Sequence, residues 1–289
     1  MTPTGDRLTD RFGASGVRLL ETGPAVPDFV DAAAWGHTAG LVLPLRVNPY
    51  FHTLPEEPVG LRAYARGIGR DLEGDPHASW TRLGSDRAFD LCAAPDGKVW
   101  GVLLGYDEPD RFVSSSPALF AESLLEVDTL LEAVTTGEDP EQASAAYQTT
   151  LRRLESADPE AFADPEHWWP LVLEDIRTTA SVRSFATFEF AAPDGTKHLV
   201  SEPGSICVHA EERTWSRMYA AGVEPDQVTR IHTELEPCFM PGHYCSMWLE
   251  MSFPDASLTH NVSYGETAEE RAAGIRELQA FVRSQSEKG

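Results

Sequence analysis

The residues best equipped for chemistry fall in two groups, His209-Ala210-Glu211 and Pro237-Cys238 with Cys245. Imidazole nitrogen and thiolate sulfur are ready zinc ligands, and a site with three protein ligands leaves its fourth position open for water. His209, Cys238 and Cys245 make up such a set. A water held there is acidified toward neutral pH, and Glu211, two residues from His209, is placed to act as its proton shuttle. His243, at Cys-x4-His spacing from Cys238, is a rival third ligand.

These residues need elements to position them. The segment Val208 to Ala221 reads as a helix closed by Gly222, with Val208, Trp215, Met218 and Tyr219 as its apolar stripe. Glu211 falls on that stripe. A lone buried carboxylate is costly, whereas one beside a bound cation has a partner and a task. A strand from Val228 to Leu235 runs into Glu236-Pro237-Cys238. Seven positions along a continuous helix is about 10.5 Å of rise, too far for Cys238 and Cys245 to share one zinc. Pro241-Gly242 supplies a tight turn that folds the segment back before a helix begins at Tyr244-Cys245. A hairpin precedes this set, Phe185 to Phe190 and Lys197 to Ser201 joined through Asp194-Gly195. A short helix ending before Pro254, a strand Leu258 to Tyr264 and a final helix from the capping box Thr267 to Glu270 follow it, the last with Ile275, Leu278, Phe281 and Val282 as its stripe.

This pattern resembles the zinc deaminase superfamily, whose signature is His-x-Glu followed by Pro-Cys-x-x-Cys. It is most similar to the deaminases of bacterial polymorphic toxin systems. The chain departs from the signature in spacing its cysteines six residues apart instead of two. The resemblance implies an α/β/α cytidine deaminase-like domain and a Zn2+ cofactor. It also implies hydrolytic deamination of a nucleobase, cytosine favoured, in a nucleotide or single-stranded nucleic acid. Glu211 would take a proton from the zinc-bound water, leaving a hydroxide, and hand that proton to the leaving ammonia. Phe239, His243 and Tyr244 flank the metal loop and are candidate substrate-binding residues, on which a base would stack.

The N-terminal part carries apolar runs at Phe89 to Ala93 and Val99 to Leu104 joined by Pro95-Asp96-Gly97-Lys98, a hairpin pattern. A helix begins at Ser116-Pro117 with Leu119, Phe120, Leu124, Val127 and Leu131 as its buried stripe. Two Asp-Pro steps between Glu155 and Glu166 read as a linker. The helix after them, His167 to Thr179, has Trp168, Leu171, Val172 and Ile176 at helical spacing and is assigned to the first domain. The boundary is therefore placed near Ala180, giving domains 1–180 and 181–289. The segment Trp80 to Cys92, the hairpin, and Arg111 to Phe120 resemble the SUKH superfamily, best its fourth subfamily. That resemblance implies an α+β immunity domain that binds a partner protein of a toxin system without catalysis.

With 42 % hydrophobic residues in 289, the chain supports packed cores. No apolar run approaches the ~18 residues of a membrane helix, and the first residues lack the pattern of a secretory signal. No membrane partner and a cytoplasmic location are expected. The formal net charge of -23 opposes non-specific attachment to nucleic acid, and an acidic first domain suits a basic toxin or immunity partner. The four cysteines are too few and too unevenly spread for a disulfide scaffold. An alternative function follows from the first domain: an immunity or binding protein whose deaminase fold is auxiliary or inactive.

Overall fold

The computed structural model describes residues 3–20, 26–137 and 139–286. The chain forms two compact units, Met1–Val172 and Leu173–Gly289. In the first run α1 (Pro3–Phe12), β1 (Val17–Leu19), α2 (Ala32–Thr38), β2 (Val42–Pro44), β3 (Arg46–Val47), β4 (Phe51–His52), α3 (Leu61–Gly67), β5 (Thr81–Ser85), β6 (Asp90–Ala93), β7 (Val99–Val102), β8 (Arg111–Ser114), α4 (Pro117–Thr136) and α5 (Pro140–Ala157). Strands β3 to β8 make one antiparallel sheet in sequence order, and β1 and β2 pair separately. The hairpin read at Asp96-Gly97 is β6 and β7, with Ala93 opposite Val99. Gly97 turns it at φ 85°, a backbone region that a side chain disfavours.

Helix α4 starts where the sequence places it, because the Ser116 side chain accepts from the Leu119 amide at 3.2 Å. It buries Phe120, Leu124, Val127 and Leu131, while Leu119 is only half-buried. The Asp-Pro segment is not a free linker. Asp158 is buried, and its carboxylate accepts from the Ser114 hydroxyl at 2.6 Å and from the Ser115 amide at 2.9 Å. Proline stops the helix there, but the aspartate beside it ties the chain to the end of β8.

The helix after that segment, α6 (Trp168–Ser181), spans the division between the units. Trp168 and Trp169 at its start are fully buried, and the Trp168 indole donates to Asp86 at 2.7 Å. Its residues from Leu173 onward fall in the second compact unit, whereas the sequence reading places the whole helix in the first domain. The apolar spacing registers only that the helix is buried; it does not say against which core each turn packs.

The second unit continues with β9 (Phe185–Ala191), β10 (Lys197–Pro203), α7 (Ala210–Ala220), β11 (Val228–Leu235), α8 (Cys245–Ser252), β12 (Ser257–Val262) and α9 (Ala268–Ser286). The sheet order is β10-β9-β11-β12, antiparallel except for the parallel β11–β12 pair. Phe188 and Ile231 of the sheet, Met218 of α7 and Leu249 of α8 share one core with Phe253. Val208 lies before α7 in a turn closed by reciprocal backbone bonds with Ser205 and is 38 % exposed, while Tyr219 is 64 % exposed. Met218 is therefore the buried centre of a narrower stripe than the sequence predicts, with Trp215 half-buried beside it.

Candidate active site

Three segments converge on His209. The first is the start of α7, where His209 is the N-cap and Glu212 accepts its amide at 3.1 Å. Gly204 makes this close turn possible, since a Cβ there would meet the Val208 carbonyl oxygen at 3.2 Å and the Ala210 nitrogen at 3.3 Å. The second is the end of β11. Glu236 extends the ladder by donating its amide to Val262 at 2.8 Å, and its carboxylate accepts from the Tyr264 amide at 2.9 Å. That pins the chain just before Pro237-Cys238.

The third is the loop from Cys238 to Cys245. Gly242 takes φ 79° and Tyr244 φ 47°, and the amides of His243 and Tyr244 both donate to the Met240 carbonyl at 3.1 Å. The Ser246 amide, in the first turn of α8, then donates back to the Cys238 carbonyl at 3.0 Å. This fold-back brings the two sulfurs beside the imidazole: Cys238 Sγ and Cys245 Sγ lie 3.4 and 3.3 Å from His209 Nδ1. The ligand atoms of His209, Cys238 and Cys245 all fall within 4.8 Å of one another. Tetrahedral zinc with ordinary Zn–S and Zn–N bonds needs N···S separations of about 3.6 Å. The donor set fits that ion in kind, number and spacing.

Electrostatics favour one thiolate already. Burial pushes both thiols up, but the hydrogen bond from Cys245 and the adjacent His209 outweigh it at Cys238, which is held well below the ordinary thiol range. Cys245 stays well above that range, raised by burial and by Cys238. Glu211 is 6 % exposed, and its pKa is raised to about 7, chiefly by burial and against the pull of His209. Together with His209 and Cys238 it lines a pocket walled by Thr178, Thr179, Ser205, Glu236 and Tyr264.

The three residues expected to hold substrate sit elsewhere. Phe239, His243 and Tyr244 lie outside that pocket lining. Tyr244 is buried with its ring 5.0 Å from that of Phe239. His243 is buried too, with Nε2 at 3.1 Å from Asp175 and Nδ1 at 3.0 Å from Glu212. Carboxylates only accept, so these two contacts engage both nitrogens of His243, and Asp175, His209 and His243 form a second cluster whose ligand atoms lie within 4.8 Å of one another. Cys207 and Cys92 are buried thiols outside the donor set.

Asp175 is the residue that the sequence analysis passes over. It is 2 % exposed and accepts from His209 Nε2 at 2.8 Å, and the two histidines hold its carboxyl far below the carboxylate range despite its burial. Its only sequence signal is a carboxylate, next to that of Glu174, in a largely apolar helical run.

No curated protein and no solved structure matches the chain. Among the described residues no helix is long and apolar enough to cross a membrane. Residues 47–175 match the pattern of the SUKH-4 immunity protein family, and residues 181–281 match that of a family described as Xanthomonas-like deaminase. The chain thus joins a SUKH-4-type immunity domain to a deaminase-type domain, the layout to which its motifs point.

Proposed function

We propose that the second unit is a zinc-dependent nucleobase deaminase, with cytosine as the favoured base, and that the chain serves in the cytoplasm in a toxin and immunity setting. The observation that carries this reading is the convergence of His209 Nδ1 with two thiol sulfurs beside a buried Glu211. His209, Cys238 and Cys245 would hold Zn2+, which supplies an open ligand position in which water is acidified toward pH 7.

The chain's own residues do the rest. A carboxyl group with a pKa of about 7 both takes and returns a proton near neutral pH, which is what a shuttle between attacking water and departing ammonia requires. Glu211 is itself buried, so its carboxyl meets little bulk water. Substrate is a nucleotide or a single-stranded nucleic acid, in which the base is free to enter a pocket without unpairing. The first unit acts as the protein-binding domain for a toxin or immunity partner, in keeping with its SUKH-4 match.

The test follows ammonia release from cytosine- and adenine-containing nucleosides, nucleotides, single strands and duplexes. Wild type is compared with Glu211→Ala, with zinc and with chelator. Zinc-dependent release by wild type alone supports the reading. Its absence on every substrate leaves the immunity or binding role, with the deaminase fold inactive.

A further inference from the structure

The imidazole of His209 is held from behind as well as in front. A carboxylate oxygen cannot donate, so at 2.8 Å from Asp175 Oδ1 it is Nε2 that carries a proton. Nδ1 is left as the nitrogen facing the two sulfurs. The second oxygen of Asp175 accepts from His243 Nε2 at 3.1 Å, His243 Nδ1 donates to Glu212 at 3.0 Å, and the same Glu212 oxygen accepts the His209 amide at 3.1 Å. The four contacts close a ring that ends on the residue where it begins. The His243 ring also lies flat on that of His209, with centroids 3.7 Å apart and planes 6° from parallel.

Rotation of His209 about either side-chain bond breaks the Asp175 contact or the stack. Movement of the first turn of α7 breaks the Glu212 contacts. From this we infer that Asp175 and His243 are positioning residues, which aim His209 Nδ1 at the metal and keep the turn bearing Glu211 in register with it. The inference rests on the metal-centre reading above. It places an outer partner of the metal ligand in α6, upstream of residues 181–281 that match the deaminase family. The metal-binding unit therefore reaches back at least to residue 175.

The full chain is used to test this. Zinc affinity is measured by competition with a chelating indicator for wild type, Cys238→Ser, Asp175→Ala, Asp175→Asn and His243→Phe, and absorption spectra are recorded after cobalt substitution. Loss of an outer partner of a metal-bound histidine weakens metal affinity about 10- to 100-fold. That loss is expected for Asp175→Ala. Asp175→Asn should lose less, because its amide oxygen still accepts one bond, and His243→Phe keeps the stack but loses the hydrogen bonds. The cobalt ligand-field bands should shift while thiolate-to-cobalt charge transfer persists, a change that general destabilisation does not produce. Should Asp175→Ala fail to fold by near-UV circular dichroism, the isosteric Asp175→Asn decides. Zinc binding that Cys238→Ser removes but both Asp175 variants leave within about 2-fold of wild type, with unchanged cobalt spectra, overturns this inference and leaves the metal centre standing. A wild-type chain that takes up no zinc overturns both.

Discussion

Each unit buries a cluster of charge, and the two clusters are built differently. In the first, the fully buried Arg82 donates Nε to Asp90 and Nη1 to Glu57, both at 2.6 Å, and its guanidinium lies 3.6 Å from the Tyr64 ring centroid. A planar fork meets two carboxylates, and the cluster is turned in on itself. In the second, carboxylates and imidazoles surround a donor set whose ligand atoms point at one place, beside a pocket. Buried charge is thus not in itself the mark of a site. What distinguishes the second cluster is that its lone pairs converge and its hydrogen bonds hold them there.

If that contrast is sound, damage to the two clusters must be read out differently. The largest effect is expected at Glu211. Glu211→Gln keeps the shape of the side chain and should lower kcat about 10²- to 10⁴-fold with zinc content unchanged. A similar rate in the variant would remove Glu211 from the chemistry and make its burial as structural as that of Arg82.

Next comes Arg82→Leu, which leaves the buried Asp90 and the half-buried Glu57 without this cation and should destabilise the first unit by about 3–5 kcal/mol in denaturant unfolding. Zinc affinity of the second unit should not change. A parallel loss of zinc binding would show that the clusters are coupled and would break the comparison.

The two units should also answer pH with opposite signs. Burial lowers the pKa of His52 in the first unit, so the unfolded chain binds that proton more readily; stability falls as pH drops below about 6.5. In the second unit the pKa of His243 is raised to about 9, because Asp175 and Glu212 outweigh burial and the neighbouring His209. Its contribution in chelator-treated protein is fully present below about 6.5 and is lost as pH rises through about 9. Unfolding midpoints followed from pH 5 to 9.5 with chelator present, with His52→Gln and His243→Gln as controls, check both signs. A profile that His243→Gln leaves unchanged would mean that the ring around His209 is not charged as its geometry requires.

The smallest effect sharpens the background. Thr267 caps α9, donating its amide to Glu270 at 3.0 Å and accepting the Glu270 amide at 3.3 Å. Thr267→Ala should cost about 1 kcal/mol in unfolding and leave both clusters untouched.

Much of the second unit can be read directly from local pattern. The β11 strand ends at Leu235, as the apolar alternation before Glu236-Pro237 indicates. The β9–β10 hairpin turns at an Asp-Gly step, as β6–β7 does in the first unit, and the Thr267 capping box starts the last helix. Each of these signals acts within a few residues, where backbone sterics and local hydrogen bonds dominate. His209-x-Glu211 and Pro237-Cys238 belong to the same class, and Pro241-Gly242 foretells the loop that brings Cys245 back.

What the amino-acid order alone determined, then, is the set of metal-capable donors and the elements that carry them. Only the tertiary structure decided how they are held. Asp175 lies 34 residues before His209 and His243 lies 34 after it, too far apart for periodicity or capping to relate them. Trp168, Leu171, Val172 and Ile176 mark α6 as a buried helix, yet hydrophobic spacing is silent about which imidazole its one buried carboxylate meets. Likewise a Cys-x4-His spacing does not foretell that His243 has a carboxylate on each of its nitrogens. Side-chain hydrogen bonds between distant segments have direction but no sequence period, so the fold alone reveals that His209 is aimed from behind.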